Sequence, residues 1–134
     1  MAGQFKILAW NVDGLSLKFN EVTLALNTHN IDICLLSETH DNEQTKINVH
    51  GYAYYYSRFP QNVSRGGVGI LIKQTIKHAE YYKLSLECTQ VVAISIKTNS
   101  GDQVIASMYN PLKFSSKLIP FDEIFEELGS KFVL

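Results

Sequence analysis

Two apolar runs near the start of the chain predict two strands. Residues Phe5–Val12 (FKILAWNV) are rich in bulky apolar and β-forming side chains, and this run stops at Asp13-Gly14, a turn pair. Residues Ile31–Ser37 form a second run with little alternation between apolar and polar positions. Such a run is typical of a strand that is covered on both faces.

A helix is predicted between these two strands. Asn20 is a candidate N-cap, with Phe19 before it and Leu24 after it as a hydrophobic staple. The helix would end near His29, because Asn30 tolerates the left-handed conformation that commonly stops a helix. A strand, a helix and a strand in this order form a βαβ-like unit, so we expect the two strands to be parallel.

The middle of the chain contains four further runs with strand character. The segment Asn99–Asp102 (NSGD) has the composition of a hairpin turn and is expected to join the last two runs. We expect all four to add to the first sheet or its edges as antiparallel strands, the last one ending before Pro111. The four runs are Tyr52–Phe59, Gly67–Lys73, Val91–Thr98 and Gln103–Tyr109.

The C-terminal part of the chain predicts a second helix and the start of another strand. Pro120 suits the first helical position, and one apolar stripe with helical spacing follows it. Gly129 is expected to cap this helix, and Lys131–Leu134 has the composition of a strand. The stripe consists of Phe121, Ile124, Phe125 and Leu128.

Composition and charge narrow the class of protein only slightly. With 134 residues, 46% hydrophobic and 19% charged, the chain fits one ordinary globular domain. Because its formal net charge is −1, a nucleic-acid-binding face would have to concentrate its 12 Lys and Arg residues. Cys34 and Cys88 have no metal-binding spacing. We find no signal-peptide pattern and no bilayer-length apolar run, and expect no membrane partner.

Three polar residues stand at the ends of predicted strands. Asn11 closes the first strand, Glu38 follows the second, and Tyr109 closes a later one. The carboxyl ends of parallel strands share one edge, where ligands of open α/β sheets bind. A carboxylate, an amide and a phenol at one spot would suit a phosphate with a hard cation such as Mg²⁺. Each residue alone also fits a structural role, as a turn-former, a loop carboxylate or a half-buried strand aromatic.

Four motifs, taken together and in order, resemble a known family. They are WNVDGL (Trp10–Leu15), LLSETH (Leu35–His40), RGGVGILIK (Arg65–Lys73) and SMYNP (Ser107–Pro111). The combination resembles the endonuclease/exonuclease/phosphatase superfamily, and more closely the apurinic-type endonuclease domain of jockey-like non-LTR retrotransposons. The resemblance covers nearly the whole chain. It implies an α/β fold, a four-layer α/β sandwich of the deoxyribonuclease I type, of which this chain would hold an incomplete part, mainly the first sheet and its helices.

The resemblance also implies roles for the residues at the strand ends. Glu38 would be the principal ligand of Mg²⁺ or Mn²⁺, Asn11 would help to position the phosphate and the metal, and Tyr109 would contact the phosphate. The implied reaction is metal-assisted hydrolysis of a DNA phosphodiester, and the nick would prime reverse transcription. The implied partners are target DNA and a downstream reverse transcriptase domain of the same polyprotein. The implied location is intracellular, and nuclear when chromosomal DNA is the target.

Two motifs of this family are absent from the sequence. The family pattern contains a Gly-Asp-x-Asn loop and, near its C-terminus, Ser-Asp-His, whereas the only Gly-Asp here, Gly101-Asp102, continues as Gln103-Val104. We therefore predict that residues 1–134 form the N-terminal portion of one endonuclease domain, truncated before its C-terminal active-site motifs. Without acid–base groups worth roughly 10²–10⁴-fold in rate, we expect no useful turnover from this chain alone.

Several other residues leave alternatives open. Arg65 could contact DNA phosphate, although the glycine pair that follows it equally fits a bulge or close sheet packing. Lys113 could face phosphate or belong to a solvated loop, and His40 favours a loop role over that of a base. The tyrosines of Tyr52–Ser57 (YAYYYS) could stack on bases, but core packing is the commoner role of such a strand.

Two further functions stay open at this point. The chain could be a non-catalytic remnant or interaction domain, or a superfamily phosphodiesterase or phosphatase that acts on RNA, inositol phosphates or sphingomyelin. The reading frame after Leu134 separates these hypotheses. Gly-Asp-x-Asn within a few residues supports the endonuclease, and a stop codon supports the remnant.

Overall fold

The computed structural model describes residues 4–111, 121–128 and 132–133, which form two helices and two four-stranded sheets. The elements are β1 (Ile7–Asn11), α1 (Phe19–Thr28), β2 (Ile33–Ser37), β3 (Tyr52–Ser57), β4 (Val68–Lys73), β5 (His78–Leu86), β6 (Thr89–Thr98), β7 (Gly101–Tyr109), α2 (Phe121–Leu128) and β8 (Phe132–Val133). Lys113, Pro120, Gly129 and Lys131 lie outside the described residues.

The first sheet is built around the predicted βαβ-like unit, and its strands have the order β1-β2-β4-β3. β1 and β2 are parallel, as predicted, with Ile7 opposite Ile33 and Asn11 opposite Ser37. β4 runs antiparallel to both β2 and β3. Asn30 has φ of +50°, which confirms the left-handed position predicted after α1.

The second sheet has the order β5-β6-β7-β8. The predicted hairpin between the last two middle strands is confirmed, because Thr98 pairs with Gly101 across a two-residue turn. The expectation that all four middle strands would join the first sheet is wrong, since β6 and β7 belong to the second one. We expected the chain to contain mainly the first sheet. The second sheet instead has as many described strands as the first.

The two sheets pack face to face and a helix covers the outer face of each. Between the sheets lie the inward-facing side chains of β2 and β4 and those of β6, among them Ile33, Ile70 and Ile94, all fully buried. On the outer face of the first sheet, α1 contributes Val22 and Leu26. This arrangement confirms the predicted four-layer α/β sandwich.

The second helix covers the outer face of the second sheet. Ile124 and Leu128 of α2 are buried against Val91 and Ala106, which are inner-strand residues of that sheet. Phe121 and Phe125, the other members of the predicted stripe, have side chains outside the described part of the chain. Within that described part, neither helix has the length and hydropathy needed to cross a membrane.

The predicted start of α1 is wrong by two residues, and its staple does not form. Lys18 occupies the N-cap position and makes no side-chain capping bond, so Asn20 lies inside the helix. The preceding turn replaces a side-chain cap, because Lys18 N donates to Gly14 O at 3.2 Å and Val22 N donates to Lys18 O at 2.9 Å. Leu24 is 67% exposed and cannot serve as a staple.

One strand, β5, was not predicted from the sequence. It is an edge strand, and most of its residues are exposed. Only alternate positions such as Tyr82 and Leu84 contact the core, and the pairing with β6 shifts register after Glu80. An exposed, bulged edge strand lacks the apolar run on which sequence-based prediction depends.

Candidate active site

The carboxyl ends of β1 and β2 form one rim, and the chain remains paired beyond both strands. Val12 N donates to Ser37 O at 3.0 Å, and Gly14 N donates to Glu38 O at 2.8 Å. Asn11 and Glu38 therefore leave their strands on adjacent rows of the same rim. The parallel pairing predicted from the βαβ-like unit produces this placement.

Tyr109 reaches the same rim from the second sheet. Its hydroxyl donates a hydrogen bond to Glu38 Oε1 at 3.2 Å, joining residues that are 71 positions apart. A second inter-sheet bond lies beside it, where the buried Ser107 Oγ donates to Leu36 O at 2.9 Å. These two bonds hold the end of β7 over the end of β2, so the phenol and the carboxylate meet.

Arg65 also lies near this pair. Burial raises the pKa of the Tyr109 phenol, the negative charge and hydrogen bond of Glu38 raise it further, and the charge of Arg65 lowers it. The Arg65 guanidinium stands over the ring of Phe59, with Cζ 4.7 Å from the ring centroid. The rim thus combines a carboxylate, a phenol and a cation.

Asn11 lies on the same rim and has no hydrogen bond to the other candidates among the described residues. Its side chain is exposed and forms no hydrogen bond within the described residues. It lines an open cleft of about 480 Å³ between the sheets, together with Ser37, Ser107 and Met108. Among the sequence candidates, the structure brings Glu38, Tyr109 and Arg65 together and leaves Asn11 at their side, while Lys113 is outside the described residues.

Residues 38–40, which we call the Glu38 segment, have an unusual backbone. Glu38 and His40 have φ of +54° and +58°, a left-handed conformation that costs a non-glycine residue about 1–2 kcal/mol. Neighbouring segments hold this conformation from both sides. Gly14 N donates to Glu38 O, and His40 N donates to Gly66 O at 2.9 Å. The Glu38 segment is therefore fixed by its neighbours against its own local preference.

The glycine pair after Arg65 helps to hold the Glu38 segment in this conformation. Gly66 and Gly67 have φ of +54° and +87°. A Cβ on Gly67 would lie 2.6 Å from Thr39 Oγ1, and one on Gly66 would lie 2.7 Å from Gln90 Oε1. Of the two alternatives for this pair, close packing against the Glu38 segment is the one that these contacts support.

Gln90 is a residue that sequence reasoning missed. Its side chain is fully buried, Oε1 accepts from Gly67 N at 2.9 Å, and Nε2 donates to Leu86 O at 2.6 Å. Its Cα is paired with that of Tyr109. Gln90 thus connects β6 to the glycine pair that supports Glu38. The only available signal was an amide directly before the apolar run of β6, since a buried amide requires partners.

The remaining polar candidates lie around this centre. His40 Nε2 is 3.7 Å from Asp13 Oδ1, and the Asp13 side chain is 75% exposed with a φ of +47° in its turn. Asp41 is buried at 3% exposure, and its Oδ2 accepts a hydrogen bond from Tyr54. Burial raises the pKa of Asp41, and the Tyr54 hydrogen bond opposes that rise.

Replacing Tyr54 with phenylalanine should destabilise the protein in a pH-dependent way. The carboxylate of Asp41, already without a partner at Oδ1, would lose its remaining hydrogen bond. A hydrogen bond to a charged group is worth about 1.5–3 kcal/mol, so we expect a loss of roughly 2 kcal/mol at neutral pH.

This loss should shrink as the pH falls through the raised pKa of Asp41, because the protonated carboxyl carries no buried charge. Urea unfolding at neutral pH and at about pH 4 measures both values. Tyr81→Phe, on a side chain that is 48% exposed, is the matched control. A loss that is equal at both pH values would contradict the assignment to Asp41.

The donor atoms at the rim are oxygens, which suits a hard divalent cation. Glu38 supplies one carboxylate whose Oε2 has no hydrogen-bond partner in the described residues. No group of three His, Cys, Asp or Glu side chains positioned for a metal exists within residues 4–111, 121–128 and 132–133. One carboxylate is within the one or two protein carboxylates that a Mg²⁺ site commonly uses beside water and phosphate.

Sequence comparison relates the chain to enzymes of one family. Residues 8–122 match the endonuclease/exonuclease/phosphatase family. The chain is 33% identical over 128 residues to the RNA-directed DNA polymerase from mobile element jockey of Drosophila funebris. It is 32% identical over 130 residues to the probable RNA-directed DNA polymerase from transposon X-element of Drosophila melanogaster. Each match covers 96% of this chain and 14% of the relative's length.

Comparison of structures gives the same fold. The endonuclease domain of TRAS1, a telomere-specific non-LTR retrotransposon, matches with a TM-score of 0.69 and 15% identity, over 96% of this chain and 57% of that one. An AP endonuclease from Archaeoglobus fulgidus matches with a TM-score of 0.60 and 20% identity, over 93% of this chain and 49% of that one. At these identities the likeness concerns the fold.

Proposed function

Because the chain belongs to the endonuclease/exonuclease/phosphatase family, we propose that it forms the N-terminal portion of a metal-dependent endonuclease domain that nicks DNA. The observation that carries this proposal is the hydrogen bond between Tyr109 and Glu38, which joins the two sheets at the rim where Asn11 and Arg65 also lie. The TRAS1 match supports the partial domain, because the chain covers 57% of that endonuclease domain.

Each side chain at the rim would have a different role in the hydrolysis of a phosphodiester. Tyr109 holds the Glu38 carboxylate in place and leaves its Oε2 for a cation. Asn11 is exposed beside the pair, and its amide can hydrogen-bond a phosphoryl oxygen. Arg65, stacked on Phe59, adds positive charge for the phosphate. When bound, Mg²⁺ or Mn²⁺ would polarise the phosphoryl oxygen and stabilise the charge on the leaving oxygen.

The names of the curated relatives support the proposed partners. Two of them are named as RNA-directed DNA polymerases of mobile elements, and this chain spans 14% of their length. We infer that the chain works within a polyprotein whose reverse transcriptase domain extends the nicked DNA end. Such a protein acts on chromosomal DNA in the nucleus.

Plasmid nicking tests the proposal. The protein for this test spans the chain together with the sequence that follows Leu134 in its reading frame. We expect it to convert supercoiled plasmid into the open circle with Mg²⁺ or Mn²⁺ and to be inactive in EDTA. The same assay on the 134-residue chain alone should show no turnover. Nicking that continues in EDTA, or a longer protein that leaves the plasmid intact under every metal condition, would refute the proposal.

A further inference from the structure

A second surface of the molecule combines an aromatic ring with positive charges. Tyr56 lies near the end of the edge strand β3 and is 37% exposed. Lys83 of β5 places Nζ 5.0 Å from the centroid of the Tyr56 ring, and Cζ of Arg58 lies 5.8 Å from it. We refer to Tyr56, Arg58 and Lys83 as the Tyr56 cluster. It lies at the lateral edge where the two sheets meet.

The two cations of the cluster form no salt bridge within the described part of the chain, although the buried carboxylate of Asp41 lies close enough to Arg58 for their charges to attract. Among the described residues, the salt bridges involve other side chains, and neither Arg58 nor Lys83 has a carboxylate within 4.0 Å. The cleft beside them holds about 240 Å³ and has one carboxylate in its lining, Glu43. The hydroxyls of Ser57 and Ser85 in this lining already donate to backbone carbonyls, so the two cations are the main groups here that can bind a phosphate.

The ring of Tyr56 serves mainly to position these cations. It stacks on Tyr54 with centroids 5.4 Å apart and an interplanar angle of 24°. With Tyr54 and two cations already in contact with the ring, little of its face is left for a nucleobase. The groups that can reach a ligand are the charged ends of Arg58 and Lys83, which favours phosphate over base stacking.

The cluster lies at the same end of the first sheet as Glu38. Ser57 pairs with Val68, and Val68 pairs with Ser37. Glu38 follows Ser37 and Arg58 follows Ser57, and these two strand ends are two strand spacings, or ~10 Å, apart. Because the backbone of a duplex winds around its axis, phosphates that are about one to two nucleotides apart on one strand are separated by a comparable distance.

We propose that the Tyr56 cluster binds backbone phosphates of duplex DNA about one to two nucleotides away from the phosphate at Glu38. This inference rests on the proposed function, since it places the same DNA across the same rim. Arg58 and Lys83 would each neutralise one phosphate. The contacts would carry no sequence information, because phosphates are the same at every position.

Binding measured without catalysis tests the inference. The 134-residue chain is titrated in EDTA against a fluorescein-labelled duplex of about 20 base pairs at salt concentrations from about 50 to about 200 mM. We expect Arg58→Ala/Lys83→Ala to weaken binding by roughly 10- to 60-fold near 0.1 M salt and to make the slope of log K against log salt shallower by about 1.8. Because no nicking is measured, failure here is distinguishable from failure of the proposed reaction.

The matched control is Lys77→Ala/Lys97→Ala, which removes the same charge at the opposite end of the sheets, where Lys97 N bonds Lys77 O. We expect it to leave the salt slope nearly unchanged. Lys83→Gln alone changes one exposed side chain and should make the slope of log K against log salt shallower by about 0.9. This single variant keeps the test informative if the double variant does not fold.

Equal losses in the test and control variants, or no duplex binding by the unsubstituted chain, would overturn the inference. Tighter binding of single-stranded DNA or RNA than of duplex, abolished by Tyr56→Leu, would also overturn it in favour of base stacking.

Discussion

Glu38→Gln is expected to lower the plasmid-nicking rate of a protein that contains the completed domain by on the order of 10³-fold. The amide can still accept the hydrogen bond of Tyr109, so the local structure should persist. It has no negative charge, however, and the cation site would lose its carboxylate. The initial rate of conversion of supercoiled to open-circular plasmid at several Mg²⁺ concentrations measures the loss.

Glu80→Gln is the matched control for this prediction, because Glu80 is an exposed carboxylate on β5. It should nick at the unsubstituted rate. The thermal unfolding of Glu38→Gln should also match that of the unsubstituted protein. If Glu38→Gln nicks as fast as its parent, Glu38 has no part in the reaction and the proposed site is wrong.

Gln90→Leu is expected to destabilise the protein by about 2–4 kcal/mol, because each buried group left unpaired costs about 1–3 kcal/mol. Leucine has a similar size but cannot accept from Gly67 N or donate to Leu86 O. Both backbone groups would remain buried without these partners. The free energy of unfolding from urea titration measures this effect.

The same substitution should also lower nicking by the completed domain. Gly67 O accepts from Thr39 N at 3.3 Å, so a displaced glycine pair would release the segment that carries Glu38. Gln44→Leu changes an exposed side chain and should alter stability by less than about 0.5 kcal/mol. A Gln90→Leu protein as stable as the Gln44→Leu control would show that the buried amide does not hold this segment.

Local patterns were sufficient for most of the individual elements. The unbroken apolar run of β2, the turn sequence before Gly101 and the helical stripe of α2 each predicted an element that the structure contains. Where the local pattern was weak, prediction failed. β5 has few buried positions, and α1 begins on a preceding turn instead of a side-chain cap at Asn20.

The candidate site was likewise predicted only in part from local patterns. Chain order and the parallel βαβ-like unit placed Asn11 and Glu38 on one rim, since both follow from the direction of two strands. No local pattern could show that Tyr109 would donate to Glu38, because that bond depends on how one sheet lies on the other. Gln90 was missed for the same reason: its partners belong to other segments.

Local patterns predicted both helices and every long strand except β5, together with the polar residues at the strand ends, because alternation, apolar runs and turn residues are local properties of the chain. Sheet packing, in contrast, divides the middle strands between two sheets and brings phenol, carboxylate and guanidinium to one rim. Those outcomes depend on contacts between residues far apart in the chain, whose free energy is gained only when complete apolar faces pack together.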